Sequence, residues 1–176
     1  GYSRYKSTPL YKRFKVNLLG TRKVGFITMD KYYKNLISQL SWNCSEEVQS
    51  QAMKKLLSDK KLDYRILVMP EWKKDCWLNC AKVLIKIGYP DIKDVLDGLF
   101  EWIQDMNWPG SKLVFRYLKT LPKNVFMCHY QKAIREALKQ NDDTWLYYLT
   151  LFMEPFALSI NDFSDPNLYA VMCKDY

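Results

Sequence analysis

Three groups of residues have types and spacings that could do chemistry. Cys76 and Cys80 lie four apart, which on a helix puts both thiols on one face, as two ligands of a tetrahedral zinc site would be. The other two ligands would have to come from Cys44, Cys128, Cys173 or His129, among which there is no second close cysteine pair. The neighbours of Cys76 and Cys80 are apolar, and a free cysteine in such company behaves as a small hydrophobe. Packing is therefore their expected role, and no metal or cofactor is expected. His129, the single histidine, stands beside Cys128. Adjacent helix positions point about 100° apart, which works against a Cys–His nucleophile pair. The third group is Asp91, Asp94, Asp97, Glu101 and Asp105. General acid–base work by two carboxylates needs a cleft and surroundings that push their pKa values apart, and an exposed helix face supplies neither. The sequence holds no glycine-rich phosphate loop and no dinucleotide fingerprint. No catalytic residue is assigned, and a non-enzymatic protein is expected.

The five carboxylates point to a different chemistry. Stepping 100° per residue from Asp91, just after Pro90, puts Ile92, Val95, Leu96, Leu99, Trp102, Ile103 and Met106 on one side and the acids on the other. This predicts one amphipathic helix over Asp91–Met106 with its apolar stripe inward. Pro109 cannot continue that helix, and Asn107 and Trp108 are pushed toward extended geometry. Gly110 permits the turn, and Ser111 is placed to cap the next helix. Like charges on one face cost helix stability, which Lys or Arg from a partner would relieve. The acidic face is thus either a solvated exterior or a docking face for a basic partner. Trp102 is expected in the core. Trp108, beside Pro109, either locks the turn or anchors a partner. Asp91, Asp94, Asp97, Glu101, Asp105 and Trp108 are the candidate partner-binding residues.

The charge of the whole chain is +8, which alone would suggest a nucleic-acid ligand. Its distribution narrows that reading. Seven of the 27 basic residues fall in residues 1–28, where there is no acid, leaving 20 against 19 acids elsewhere. Residues 1–28 interleave Tyr, Phe, Lys and Arg, a mixture suited to phosphate contact and base stacking. Two short strands, Phe14–Leu18 and Lys23–Ile27, or a loosely ordered arm both fit this segment. Because Met29-Asp30 reads as a natural start, residues 1–28 are expected to form a basic extension outside the functional domain; any nucleic-acid binding would use them alone. Five cysteines without a secretory-type segment point to reduced thiols in a cytoplasmic protein. No apolar run reaches the roughly 18 residues of a membrane span.

From Asp30 onward the periodicity is helical. Asp30 can cap a helix carrying Tyr33, Leu36, Ile37 and Leu40 on one face, and Ser45 an apolar stripe of Val48, Ala52, Met53, Leu56 and Leu57. Lys74–Ile87 is apolar over most of its circumference, the mark of a central helix, with αL geometry predicted at Gly88. Further helices are predicted over Lys112–Leu121, Val125–Gln140 and Thr144–Met153, with a break and cap at Asn141-Asp142-Asp143. After Pro155 the pattern weakens, and residues 154–176 are expected to form a C-terminal tail that packs or frays. Prolines at 70, 90, 109 and 122 punctuate short helices. The expected fold is all-α: short stacked helical hairpins in a HEAT-like α-solenoid, with an irregular helical bundle as the alternative.

The runs Trp77-Leu-Asn-Cys-Ala-Lys-Val-Leu-Ile-Lys-Ile-Gly-Tyr-Pro and Leu99-Phe-Glu-Trp-Ile-Gln-Asp-Met-Asn-Trp-Pro-Gly resemble the bacterial domain of unknown function 5071 family, as does the Trp145–Leu149 helix. The resemblance covers about residues 29–153. It implies a small helical, HEAT-like cytoplasmic protein with no established activity. Related small bacterial proteins occur near polymorphic toxin loci, where immunity proteins reside. The resemblance thus implies, by analogy of class, an immunity protein that neutralises a basic, nuclease-like toxin. An acidic, aromatic-edged face would complement such a partner and steer its approach by charge.

Overall fold

The computed structural model describes residues 30–176, and all regular secondary structure among them is helical. The strands considered for residues 14–18 and 23–27, and every role considered for residues 1–28, lie outside the described residues. Eight α-helices follow one another: α1 (Lys31–Ser38), α2 (Glu46–Ser58), α3 (Trp77–Ile87), α4 (Leu96–Trp102), α5 (Ser111–Leu118), α6 (Lys123–Gln140), α7 (Asp143–Thr150) and α8 (Pro166–Met172). Short 3-10 turns intervene at Tyr64–Leu67, Lys74–Cys76, Lys93–Val95 and Ile160–Asp162.

Local chemistry sets most of these boundaries. The Ser45 hydroxyl accepts from the Val48 amide at 3.3 Å, and Glu46 and Glu47 occupy the positive first turn of α2. Asn141 closes α6 in the left-handed region (φ 52°), and Asp142 caps α7 by accepting from the Trp145 amide at 2.9 Å. Asp165 caps α8 with Pro166 in its first turn. Gly88 ends α3 with the expected positive φ of 73°, but its ψ of 171° is extended rather than αL.

The single helix predicted over Asp91–Met106 is three pieces: a turn at 90–92, the 3-10 turn Lys93–Val95, and α4. Ile92 (ψ 16°), Val95 (ψ 5°) and Ile103 (ψ 13°) sit near ψ 0° instead of in helical geometry. Side chains that bond the backbone locally compete with the helix at its far end. Asp105 Oδ1 accepts from the Asn107 amide at 2.8 Å, and the Gln104 amide reaches Glu101 O at 3.1 Å. The Ser111 hydroxyl hydrogen is shared between Trp102 O at 2.9 Å and Asp105 O at 2.8 Å. Ser111 therefore closes the helix before it rather than capping α5, whose N-cap is Gly110.

Helix α3 is central, as its composition predicts: Trp77, Asn79, Cys80, Ala81, Val83 and Leu84 are all buried. It packs against α2 on one side and α5 on another. Buried Asn79 donates from Nδ2 to Leu40 O and Gln49 Oε1, both at 2.7 Å, which ties the α1–α2 layer to α3. Helix α4 lies between α5 and α6, and α6 also carries α7 and α8. An aromatic cluster of Phe100, Phe126, Tyr130 and Phe152 fills the α4–α6 side, with Phe126 and Tyr130 stacked at 4.9 Å. Residues 154–176 do not trail away. Leu158, Phe163, Leu168 and Met172 are buried, and the Ser164 amide donates to Gln131 Oε1 of α6 at 2.8 Å.

Gly110 combines a left-handed backbone with a close approach. Its φ is 88°, and a Cβ there would lie 2.9 Å from Ala81 Cβ and 3.4 Å from the Trp102 ring. Both the backbone region and the space exclude a side chain. Gly110→Ala should lower stability by about 2 kcal/mol. Gly98→Ala, in α4, should cost less: its new methyl would meet a Val68 methyl at 2.7 Å, but the backbone there is outside the left-handed region, and Ala favours the helix by roughly 1 kcal/mol. Urea denaturation of the two variants checks the order.

Candidate functional site

The broken helix redistributes the five carboxylates. Asp91 lies in the turn after Pro90, Asp94 in the 3-10 turn, Asp97 and Glu101 on α4, and Asp105 in the turn beyond. Asp91, Asp94 and Asp97 are exposed, while Glu101 and Asp105 are half-buried. The structure thus gathers three acids along the entry to α4 and turns Asp105 to a local task, holding the Asn107 amide.

The chain itself supplies cations to this edge. Asp97 Oδ1 lies 2.5 Å from His129 Nδ1, and Asp97 Oδ2 lies 3.5 Å from Lys132 Nζ, both on α6. The hydrogen bond to His129 holds the Asp97 carboxyl below the usual carboxylate range against the effect of burial, and the charges of His129 and Lys132 add to it. On the other flank, Arg65 is paired with Asp63 at 2.6 Å. Its guanidinium is pushed up mainly by that hydrogen bond, and also by the charge of Asp94. Part of the relief expected from a partner is therefore intramolecular. Asp91 and Asp94 make no hydrogen bond or ion pair with another described residue.

Trp108 faces different neighbours from Asp97. It is half-buried, packs edge-on to Trp77 with ring centroids 5.6 Å apart, and has Lys74 Nζ 5.8 Å from its ring. Trp77 in turn meets Trp102 edge-on at 6.2 Å. The indole of Trp77 donates to Pro70 O and that of Trp102 to Pro109 O, each at 2.9 Å. Trp102 is fully buried, as expected, and Trp108 closes the turn beside it while lining an open groove of about 310 Å³ with Leu78 and Lys112. Gln104, in the same turn, buries its Nε2 without a hydrogen-bond partner among the described residues.

Cys76 and Cys80 are both fully buried. Burial pushes the Cys76 thiol up to about 12 and the Cys80 thiol up as well, so both are protonated at neutral pH. Among the described residues no three His, Cys, Asp or Glu side chains converge as a metal site. No helix of the described residues is long and apolar enough to cross a membrane.

The architecture is that of an all-helical domain with a tryptophan-lined seam and an acidic edge. The model of the family Domain of unknown function (DUF5071) matches residues 68–167, more than half of the chain, and the chain belongs to this family. The matched stretch begins later than the resemblance over 29–153 suggested and runs into α8. No curated protein and no solved structure matches the chain.

Two features escaped the sequence reasoning. His129 looked like an ordinary helix residue because its partner Asp97 is 32 positions away. The cations Lys82, Lys86 and Arg116, which border a groove between α3 and α5, were not singled out. A signal for them existed: Lys82 and Lys86 stand four apart on an otherwise apolar helix and mark its uncovered side.

The Asp97 pair has a pH signature. A carboxyl whose folded-state pKa is depressed adds stability above its unfolded value of about 4 and loses it as pH falls through the lower folded value. The Asp97 side chain is 54% exposed, so its contribution at neutral pH should stay below about 1 kcal/mol. Denaturation midpoints of the native chain and Asp97→Asn should differ at neutral pH and converge as the carboxylate range is crossed downward. A difference that persists in acid would mean that the pair contributes through packing and not charge.

Proposed function

We propose that this chain is a non-enzymatic cytoplasmic protein-binding module, built from HEAT-like stacked hairpins, that docks a basic partner on the acidic edge leading into α4. The partner class is a basic, nuclease-like bacterial toxin domain, with this chain as its immunity protein. The observation that carries the proposal is the exposed pair Asp91 and Asp94, whose side chains make no hydrogen bond or close ion pair with a described residue, next to an Asp97 that α6 already anchors. Charges held on a rigid edge favour fast, specific encounter with an oppositely charged surface. Stacked hairpins are supported by packing between sequence neighbours, α1 with α2, α2 with α3, α4 with α5, and α6 with α7.

The choice of variant follows from the geometry. Reversing Asp97 would also break its contact with α6, so Asp91→Lys/Asp94→Lys is the cleaner test. The full chain, immobilised as bait in lysate of its source bacterium, should retain a basic toxin-type protein. The double reversal should weaken that complex by roughly tenfold or more and make it less sensitive to salt. Co-expression of the native chain should relieve growth arrest by that protein, and the double variant should relieve it less. A partner held equally by both chains overturns the acidic edge as the interface.

A further inference from the structure

The α3–α5 seam opens outward as a groove of about 400 Å³ whose chemistry is opposite to that of the acidic edge. Half-buried Ile85, Leu113 and Tyr117 form its apolar floor, and exposed Lys82, Lys86 and Arg116 border it. The groove beside Trp108 shares Leu113 with it and adds Lys112. No acidic residue lines either groove. None of Lys82, Lys86, Lys112 and Arg116 forms an ion pair with a described residue.

We propose that this groove is a second docking surface, and that it takes an acidic amphipathic peptide segment of a partner protein, with carboxylates on Lys82, Lys86 and Arg116 and apolar side chains on Ile85 and Leu113. Two requirements select that occupant. The unneutralised cations call for a negative ligand, and the aliphatic floor calls for side chains that gain by leaving water. A phosphate ion would leave Ile85 and Leu113 wet. A nucleic-acid strand binds best where successive rings offer stacking faces, and this groove has one ring, Tyr117, whose hydroxyl already accepts from the Tyr89 amide at 2.7 Å. Residues 1–28 carry seven cations and no acid, so like charge opposes their entry. The acidic edge of a second copy is mixed with Lys93 and Arg65, cations that would meet those of the groove. The groove is independent of the acidic edge, and either can fail without the other.

The test uses the full chain and a dye-labelled short peptide that alternates glutamate with leucine, read by fluorescence anisotropy. Saturable binding is expected. A glutamate–serine peptide, which lacks the apolar half, and a lysine–leucine peptide, which reverses the charge, should each bind roughly tenfold more weakly or worse. Lys82→Glu/Arg116→Glu should weaken binding of the first peptide by roughly tenfold or more with an unchanged thermal midpoint; the neutral pair Lys82→Gln/Arg116→Gln replaces it if the reversal does not fold. Asp91→Lys/Asp94→Lys should bind the peptide at least as well as the native chain, which separates this surface from the acidic edge. Three results overturn the proposal: no saturable binding of the glutamate–leucine peptide; tighter binding of a single-stranded oligonucleotide that the same charge reversal abolishes; or dimers in sedimentation that the reversal dissociates, which would make a second copy the occupant.

Discussion

Everything in the central part of the fold depends on how closely α5 approaches α3. Gly110 and Ala81 bring the two backbones together where a Cβ on Gly110 would already collide at 2.9 Å. That closeness lets the Trp102 ring close over the joint and its indole reach Pro109 O, so the chain entering α5 is fixed to the helix before it. The Ser111 hydroxyl then donates to Trp102 O, which α4 leaves open when it stops there, and to Asp105 O in the turn beyond. Removing any one of these groups would leave a buried donor or acceptor unpaired, which typically costs about 1–3 kcal/mol. The run Gln104–Gly110 is therefore a structural joint, and its sequence specificity comes from sterics and hydrogen bonding within the chain.

Charge acts in a second layer, at the edges of segments that the core already packs together. Asp97 reaches His129 and Lys132 across the α4–α6 contact, and Lys123 at the start of α6 reaches Asp162 at 2.7 Å in the segment before α8. Asp75 receives Ser41, Asn43 and Lys73, which holds the α1–α2 connection against the entry to α3. These groups are partly exposed, so each pair contributes modestly. What they determine is register: which residue of one helix faces which residue of the next.

The elements that rest on neighbouring residues were legible in the sequence. Ser45 with Glu46 and Glu47, Asn141 with Asp142, and the apolar circumference of α3 each encode their outcome within a few positions. The break in the Asp91–Met106 pattern was not legible, because the bonds that end α4 come from Ser111 and from an Asp105 side chain turned back on its own loop. Phe100 shows the same limit. Beside Glu101 it belongs to no single stripe, yet it is 1% exposed, because α4 is covered by α5 and α6 together. A helix covered on two sides keeps only a narrow polar strip, here Asp97 and Glu101. The Asp97–His129 contact and the packing of Phe163 and Leu168 against the body are likewise products of tertiary approach, invisible to local periodicity.

The same coverage argument explains why the surface carries two zones of opposite sign on a body of nearly balanced charge. Helix α3 is enclosed by α2 and α5 over most of its circumference, and a buried lysine without a partner would be costly. Its two lysines must then fall on whatever strip those helices leave open, and four-residue spacing keeps Lys82 and Lys86 on one line. Helix α5 meets that strip with Leu113, Arg116 and Tyr117 at the spacing of one helix face, so aliphatic and cationic groups necessarily stand side by side there. Helix α4, short and covered on both flanks, exposes Asp97 in its first turn, next to Asp91 and Asp94 in the turns that lead into it. The segregation of charge thus follows from which strips of which helices the packing leaves uncovered.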